Sequence, residues 1–122
     1  MSADHSLDVS WPTDWLRAAL GLCTLQILDA QPTYGYAIIA ELARVGLGEV
    51  KGGTLYPLLT RFEAAGWLEV EWRPGEGGPG RKYFALTALG RSELARQRVD
   101  WRSFTRITTN FLSHSHQTES GQ

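Results

Sequence analysis

GGTLYPLLTRFEAAGW, residues 52–67, reads as a helix that opens on two glycines, carries a proline near its start and stops at a glycine. Leu55, Leu58, Leu59 and Phe62 fall at i, i+3, i+4 and i+7, so one face is core. Proline has no N–H and is harmless only in a first turn, where that group would lack a partner anyway. The pattern therefore predicts a helix start close to Gly53 or Thr54, with Gly66 where a left-handed C-terminal cap belongs. Thr54, Pro57 and Arg61 then form a row facing away from the core, with Tyr56 and Thr60 beside it. Filling a core requires no such irregular start, so the N-terminal end of this helix is expected to approach something closely.

Upstream, DWLRAALGLCTLQILD (14–29) puts Leu16, Ala19, Leu20, Cys23, Ile27 and Leu28 on one stripe of a long amphipathic helix. Gln31-Pro32-Thr33 breaks it, and Thr33 is placed to cap a second helix, YGYAIIAELARV, that buries Ile38, Ile39, Leu42 and Ala43 and ends near Gly46. Downstream, WLEVEWR (67–73) alternates Leu68, Val70 and Trp72 with Glu69, Glu71 and Arg73, as a half-buried strand does. KYFAL (82–86) reads as its partner, with Phe84 and Leu86 inward. Between them PGEGGPGR is expected to be an irregular, glycine-rich tip. Thr87 caps a fourth helix reaching about Leu112, and SHSHQTESGQ is a polar tail expected to be disordered.

At 122 residues the chain suits one compact domain, and its 43% hydrophobic and 20% charged residues are those of an ordinary globular protein. No apolar run approaches the roughly 20 residues that span a bilayer, and the first ten residues lack a secretion signal, so a cytoplasmic location is expected. The single cysteine, Cys23, excludes an internal disulfide framework. Net charge is −1, but residues 1–50 hold two basic against six acidic side chains, and residues 51–122 hold ten against seven. The basic half contains the irregular helix.

Three helices followed by a two-stranded hairpin make a winged helix-turn-helix, a mainly α (α+β) fold with a long C-terminal helix. The expected division is an N-terminal arm (1–13), the winged unit (14–87), a dimerisation helix (88–113) and a tail (114–122). In this arrangement the third helix enters the major groove of double-stranded DNA and the hairpin reaches the flanking backbone or minor groove. Glycines at 52 and 53 would let the backbone approach phosphate, which the helix dipole favours. The alternative is a winged-helix module that binds protein without DNA. Lys51, Arg61, Arg73, Arg81 and Lys82 on the outward side favour DNA, since a protein-binding wing has no need of that cluster.

Residues 52–67 together with GGPGRKYFALTALG (77–90) resemble the PadR family of bacterial transcriptional regulators. The family pattern G-T-L-Y-P-x-L-x-R-L-E-x-x-G is matched by Gly53, Thr54, Leu55, Tyr56, Pro57, Leu59, Arg61, Glu63 and Gly66. R-K-Y-Y-x-L-T-x-x-G is matched by Arg81, Lys82, Tyr83, Leu86, Thr87 and Gly90. YGYAI (34–38) is similar to the family's second-helix opening, and the resemblance covers about residues 15–112. Lys51 and Gly52 depart from it, replacing the usual Ser, Thr or Pro and putting a cation at a helix N-terminus, unfavourable unless phosphate lies opposite. Phe62 and Trp67 stand for leucines, and Gly80 for a frequent proline. The resemblance implies a homodimeric repressor of the short subgroup, with one C-terminal helix, released by a small aromatic or drug-like effector. The DNA-binding set is then Tyr36, Lys51, Gly53, Thr54, Tyr56, Pro57, Arg61, Arg73, Arg81 and Lys82.

Leu94, Trp101, Phe104, Thr108 and Phe111 follow an approximate heptad on a helix too apolar for one small domain to cover, and with Leu16 they form the expected dimer interface. Trp11, Trp15 and Trp101 are the expected effector-binding residues, because the resemblance places an aromatic pocket where the first and fourth helices meet. Tyr34 and Tyr36 read equally well as core or as phosphate ligands. Cys23 reads as a packed thiol, and His114 with His116 as solvated tail rather than a metal site. No nucleophile with its base and no phosphate-binding glycine motif occurs, so neither catalysis nor a cofactor is expected.

Overall fold

The computed structural model describes residues 10–75 and 77–114. Most of the expected arm and tail, His116 included, lies outside the described residues. Helix α1 runs Thr13–Ala30, strand β1 Thr33–Tyr34, helix α2 Gly35–Arg44 and helix α3 Gly52–Ala64. Strands β2 (Leu68–Gly75) and β3 (Gly78–Leu86) form the hairpin, and helix α4 spans Ala88–Ser113. The core is one cluster, in which Leu25, Leu28, Ile38, Leu42, Leu55, Leu59 and Leu94 are almost fully buried. The stripe read on α3 is the buried one.

Helix α1 is buried more broadly than a single stripe predicts. It packs on α2, β3 and α4, so Thr24 and Leu25 are fully enclosed, while Leu16, Ala19, Cys23 and Ile27 are only half-buried. In α2, Ile38 and Leu42 are core but Ala43 is exposed. Thr33 is no cap. It pairs with Phe84, and Tyr34 with Tyr83, so β1 adds a third, antiparallel strand in the order β1-β3-β2.

The wing is more regular than its composition suggests. Both strands continue into the glycine-rich segment as far as the Gly75–Gly78 pair, with a break in register between Arg73 and Gly75. Pro74, which lacks an N–H, sits at that break. A side chain on Gly75 would strike the Pro79 carbonyl, and one on Gly80 would lie 2.9 Å from the Arg73 carbonyl. These glycines let the two backbones close together, so the expectation of an irregular tip is corrected. Trp72 faces the core side by register but is exposed, because the buried layer ends at Val70 and Phe84.

Helix α3 begins one residue earlier than read, with Lys51 as its N-cap and no side-chain bond there. Pro57 is consequently in the second turn, and the Gly53 carbonyl loses its i+4 donor. The helix ends at Gly66 in a left-handed conformation (φ +85°), with the Trp67 N–H bonded to the Phe62 carbonyl at 2.9 Å. Helix α4 is joined directly to that end. The Thr87 hydroxyl accepts from the Gly90 N–H at 3.0 Å and donates to the Gly66 carbonyl at 2.6 Å. A side chain on Gly90 would overlap the Trp67 carbonyl. Asp29 then receives both Arg91 (3.7 Å) and Arg98 (3.5 Å) of α4.

Candidate nucleic-acid interface

The outermost line of α3 is Gly53, Pro57, Thr60 and Ala64, all exposed and all short. Spacings of 3 and 4 put them on one stripe opposite Leu55, Leu58, Leu59 and Phe62. Longer side chains flank this ridge on both sides. On one, the Tyr56 ring lies over Gly35, so closely that a side chain at 35 would overlap it. Tyr34, Gly35, Tyr36, Tyr56, Arg81 and Lys82 line a shallow groove of about 260 Å³ between the ridge and the wing. On the other side Thr54 and Arg61 face α1 across a groove of about 470 Å³, whose walls include Leu16, Arg17, Val50, Lys51 and Leu58.

The wing's outer face is a ladder of cations and rings. The Arg81 guanidinium lies 4.3 Å from the Tyr34 ring centre, the Arg73 guanidinium 4.3 Å from that of Tyr83, and the two tyrosine rings are 5.3 Å apart. Arg73 also reaches Glu71 at 3.3 Å, so part of its charge is used within the wing. Lys51, Arg61, Arg81 and Lys82 make no salt bridge among the described residues. Lys51 stands at the N-cap of α3, Arg61 in its last turn, and Arg81 and Lys82 beside it on the wing, so these four cations lie along both sides of the ridge.

The ten expected DNA-binding residues thus gather along the ridge, its two grooves and the wing. Gly35 and Arg17, outside the expected set, line the same two grooves, as does Tyr34, which the sequence left open between core and phosphate ligand. Tyr34 carried no signal beyond its type, since its position follows from the two-residue strand β1. Leu16, expected at the dimer interface, is half-buried and lines the larger groove facing α3. Leu94 is a correction. It is 1% exposed within the chain's own core, since α1 lies alongside the first half of α4.

The tryptophans do not form one cluster. Trp11 is tied by its indole N–H to the Gly46 carbonyl at 2.8 Å and lies 6.5 Å from the Trp15 ring. Trp101 and Phe104 border a shallow groove with Ala18 and Leu22 of α1. Trp15 shares the Ala18–Leu22 stripe and stands exposed at its end. Burial raises the Cys23 thiol above its ordinary range, which keeps it protonated at neutral pH. No group of three metal-ligating side chains occurs among the described residues, and no helix among them is long and apolar enough to cross a membrane.

A three-helix unit with an outward helix end, a cation-flanked ridge and an adjoining wing is a winged helix-turn-helix domain. A family model for the PadR-like transcriptional regulators matches residues 24–96. A transcriptional regulator of Mycobacterium tuberculosis is 35% identical over 102 residues, 84% of this chain and 94% of its own. The crystal structure of a PadR family transcriptional regulator from Eggerthella lenta is 33% identical with a TM-score of 0.74, over 81% of this chain and 86% of that one. A PadR-like transcription factor from Bacteroides fragilis is also 33% identical, with a TM-score of 0.69, over 81% of this chain and 95% of its own. The chain belongs to the PadR-like family of transcriptional regulators, which are not enzymes.

Proposed function

We propose that the protein is a DNA-binding repressor that acts as a homodimer and is released by a small aromatic or drug-like effector. The observation that carries the DNA reading is the set of cations without a salt bridge among the described residues, Lys51, Arg61, Arg81 and Lys82, along the two sides of α3. Lys51 at the N-cap opposes the helix dipole, an arrangement that becomes favourable once a phosphate lies against the exposed N–H groups. The short ridge can enter a major groove, with Tyr56, Thr54 and Arg61 reaching base edges or phosphates on its two sides.

Support for the homodimer comes from the second half of α4, where Phe104, Ile107, Phe111 and Leu112 are exposed. An antiparallel pair of such helices would hold two recognition helices about 34 Å apart, suiting a palindromic operator. The effector reading rests on the Trp101–Phe104 groove, open on the side a second copy would cover.

The test is a footprint on the protein's own promoter, followed by a salt titration on the protected duplex. Lys51→Ala, Arg61→Ala and Lys82→Ala are each expected to weaken binding and to lower the salt slope by about one. Three variants that bind like the parent across the titration would place DNA on another surface.

A further inference from the structure

Trp72 is a large ring on the wing with no task in the reading above. It stands opposite Lys82 on the hairpin face that carries Leu68, Val70, Phe84 and Leu86 into the core. Strands rise about 3.3 Å per residue, so Trp72 lies about 7 Å beyond the last buried layer, and 68% of its surface is exposed. Its ring passes 3.9 Å from the point where a Cβ on Gly80 would sit, so one edge rests near the opposite strand's backbone. The rest faces outward on the side of the hairpin that also carries Lys82, while Arg73 and Arg81 lie on the opposite face.

An exposed indole beside a cation is complementary to a partner that is anionic and also offers apolar surface. Duplex DNA presents both at the edge of its minor groove, where deoxyribose rings lie between phosphates. Lys82 also lines the groove beside Tyr56, so the Trp72 face is continuous with the candidate interface. We propose that Trp72 and Lys82 form a pad that docks on the minor groove flanking the recognition site, Lys82 on a phosphate and Trp72 on the sugar edges. The proposal rests on the DNA-binding reading and adds to it a contact that salt does not screen.

The experiment measures binding of the full chain and its variants to a fluorescein-labelled duplex taken from the footprinted promoter, across a salt series. Trp72→Ala is expected to lose about tenfold in affinity with an unchanged salt slope, the size of effect seen when an aromatic ring loses its stacking surface on nucleic acid. Lys82→Ala is expected to lower the slope by about one instead. Trp72→Phe keeps a flat ring and should retain most of the affinity while losing the part of the DNA-induced emission change that Trp72 supplies. Melting curves confirm that each variant is folded. Parent-like affinity in Trp72→Ala, or an undiminished emission change in Trp72→Phe, overturns the proposal and leaves the DNA reading standing. A parent that does not bind the duplex overturns both, and that outcome is visible before any variant is made.

Discussion

Gly53 is expensive where it stands. Its φ is not positive, and a Cβ added there would meet nothing within 4 Å, so the fold itself has no need of glycine at this position. Glycine inside a helix is less stable than alanine by about 0.5–1 kcal/mol. Gly53→Ala is therefore expected to raise the melting temperature and, if a phosphate approaches this backbone, to weaken operator binding in the same protein. Tighter folding together with undiminished binding would remove the close approach. Gly35 behaves in the opposite way: an alanine there displaces the Tyr56 ring, so both stability and binding are expected to fall. The motif glycines look alike in the sequence, yet one leaves room for something outside the chain and the other seats a side chain within it.

At the scale of elements, α4 shows what a repeat in the sequence can and cannot disclose. Leu94 and Trp101 are seven residues apart, and both suit a heptad reading. Only the neighbouring helix decides their environment: α1 closes over Leu94, while Trp101 is left half-buried beside the groove at Ala18 and Leu22. Leu94→Ala is accordingly expected to destabilise the subunit by about 2–5 kcal/mol in denaturant melts. Phe104→Glu and Phe111→Glu should leave each subunit folded and shift sedimentation from dimer to monomer. A dimer that persists in both would move the interface off α4; removing the helix after Gly90 would be a poorer test, because it takes Leu94 out of the core. Helix α3 was legible because its apolar spacing, glycine stop and outward row all lie within one continuous segment. Strand β1 was not, since two residues have no period and exist as a strand only through Phe84 and Tyr83. The wing's regularity was hidden for a related reason: glycine lowers strand preference locally, while the facing backbone demands it.

For the whole molecule, the effector reading requires that a ligand favour one arrangement of two copies over another. Planar aromatic compounds are expected to quench tryptophan emission in the parent and to do so little in Trp101→Ala. Quenching that survives in that variant, together with intact release from the operator, would put the ligand elsewhere. How such a ligand could act on DNA follows from the joint at Gly66, Trp67, Thr87 and Gly90. There the tail of α3 and the head of α4 are spliced by backbone and hydroxyl bonds, and Asp29 braces α4 again at Arg91 and Arg98. The two helices thus meet like the arms of one crank, joined at the elbow by these bonds. A twist of a few degrees applied to the free end of α4 would therefore reappear at the ridge of α3, and loosening the elbow with Thr87→Val should uncouple ligand from DNA while leaving each able to bind.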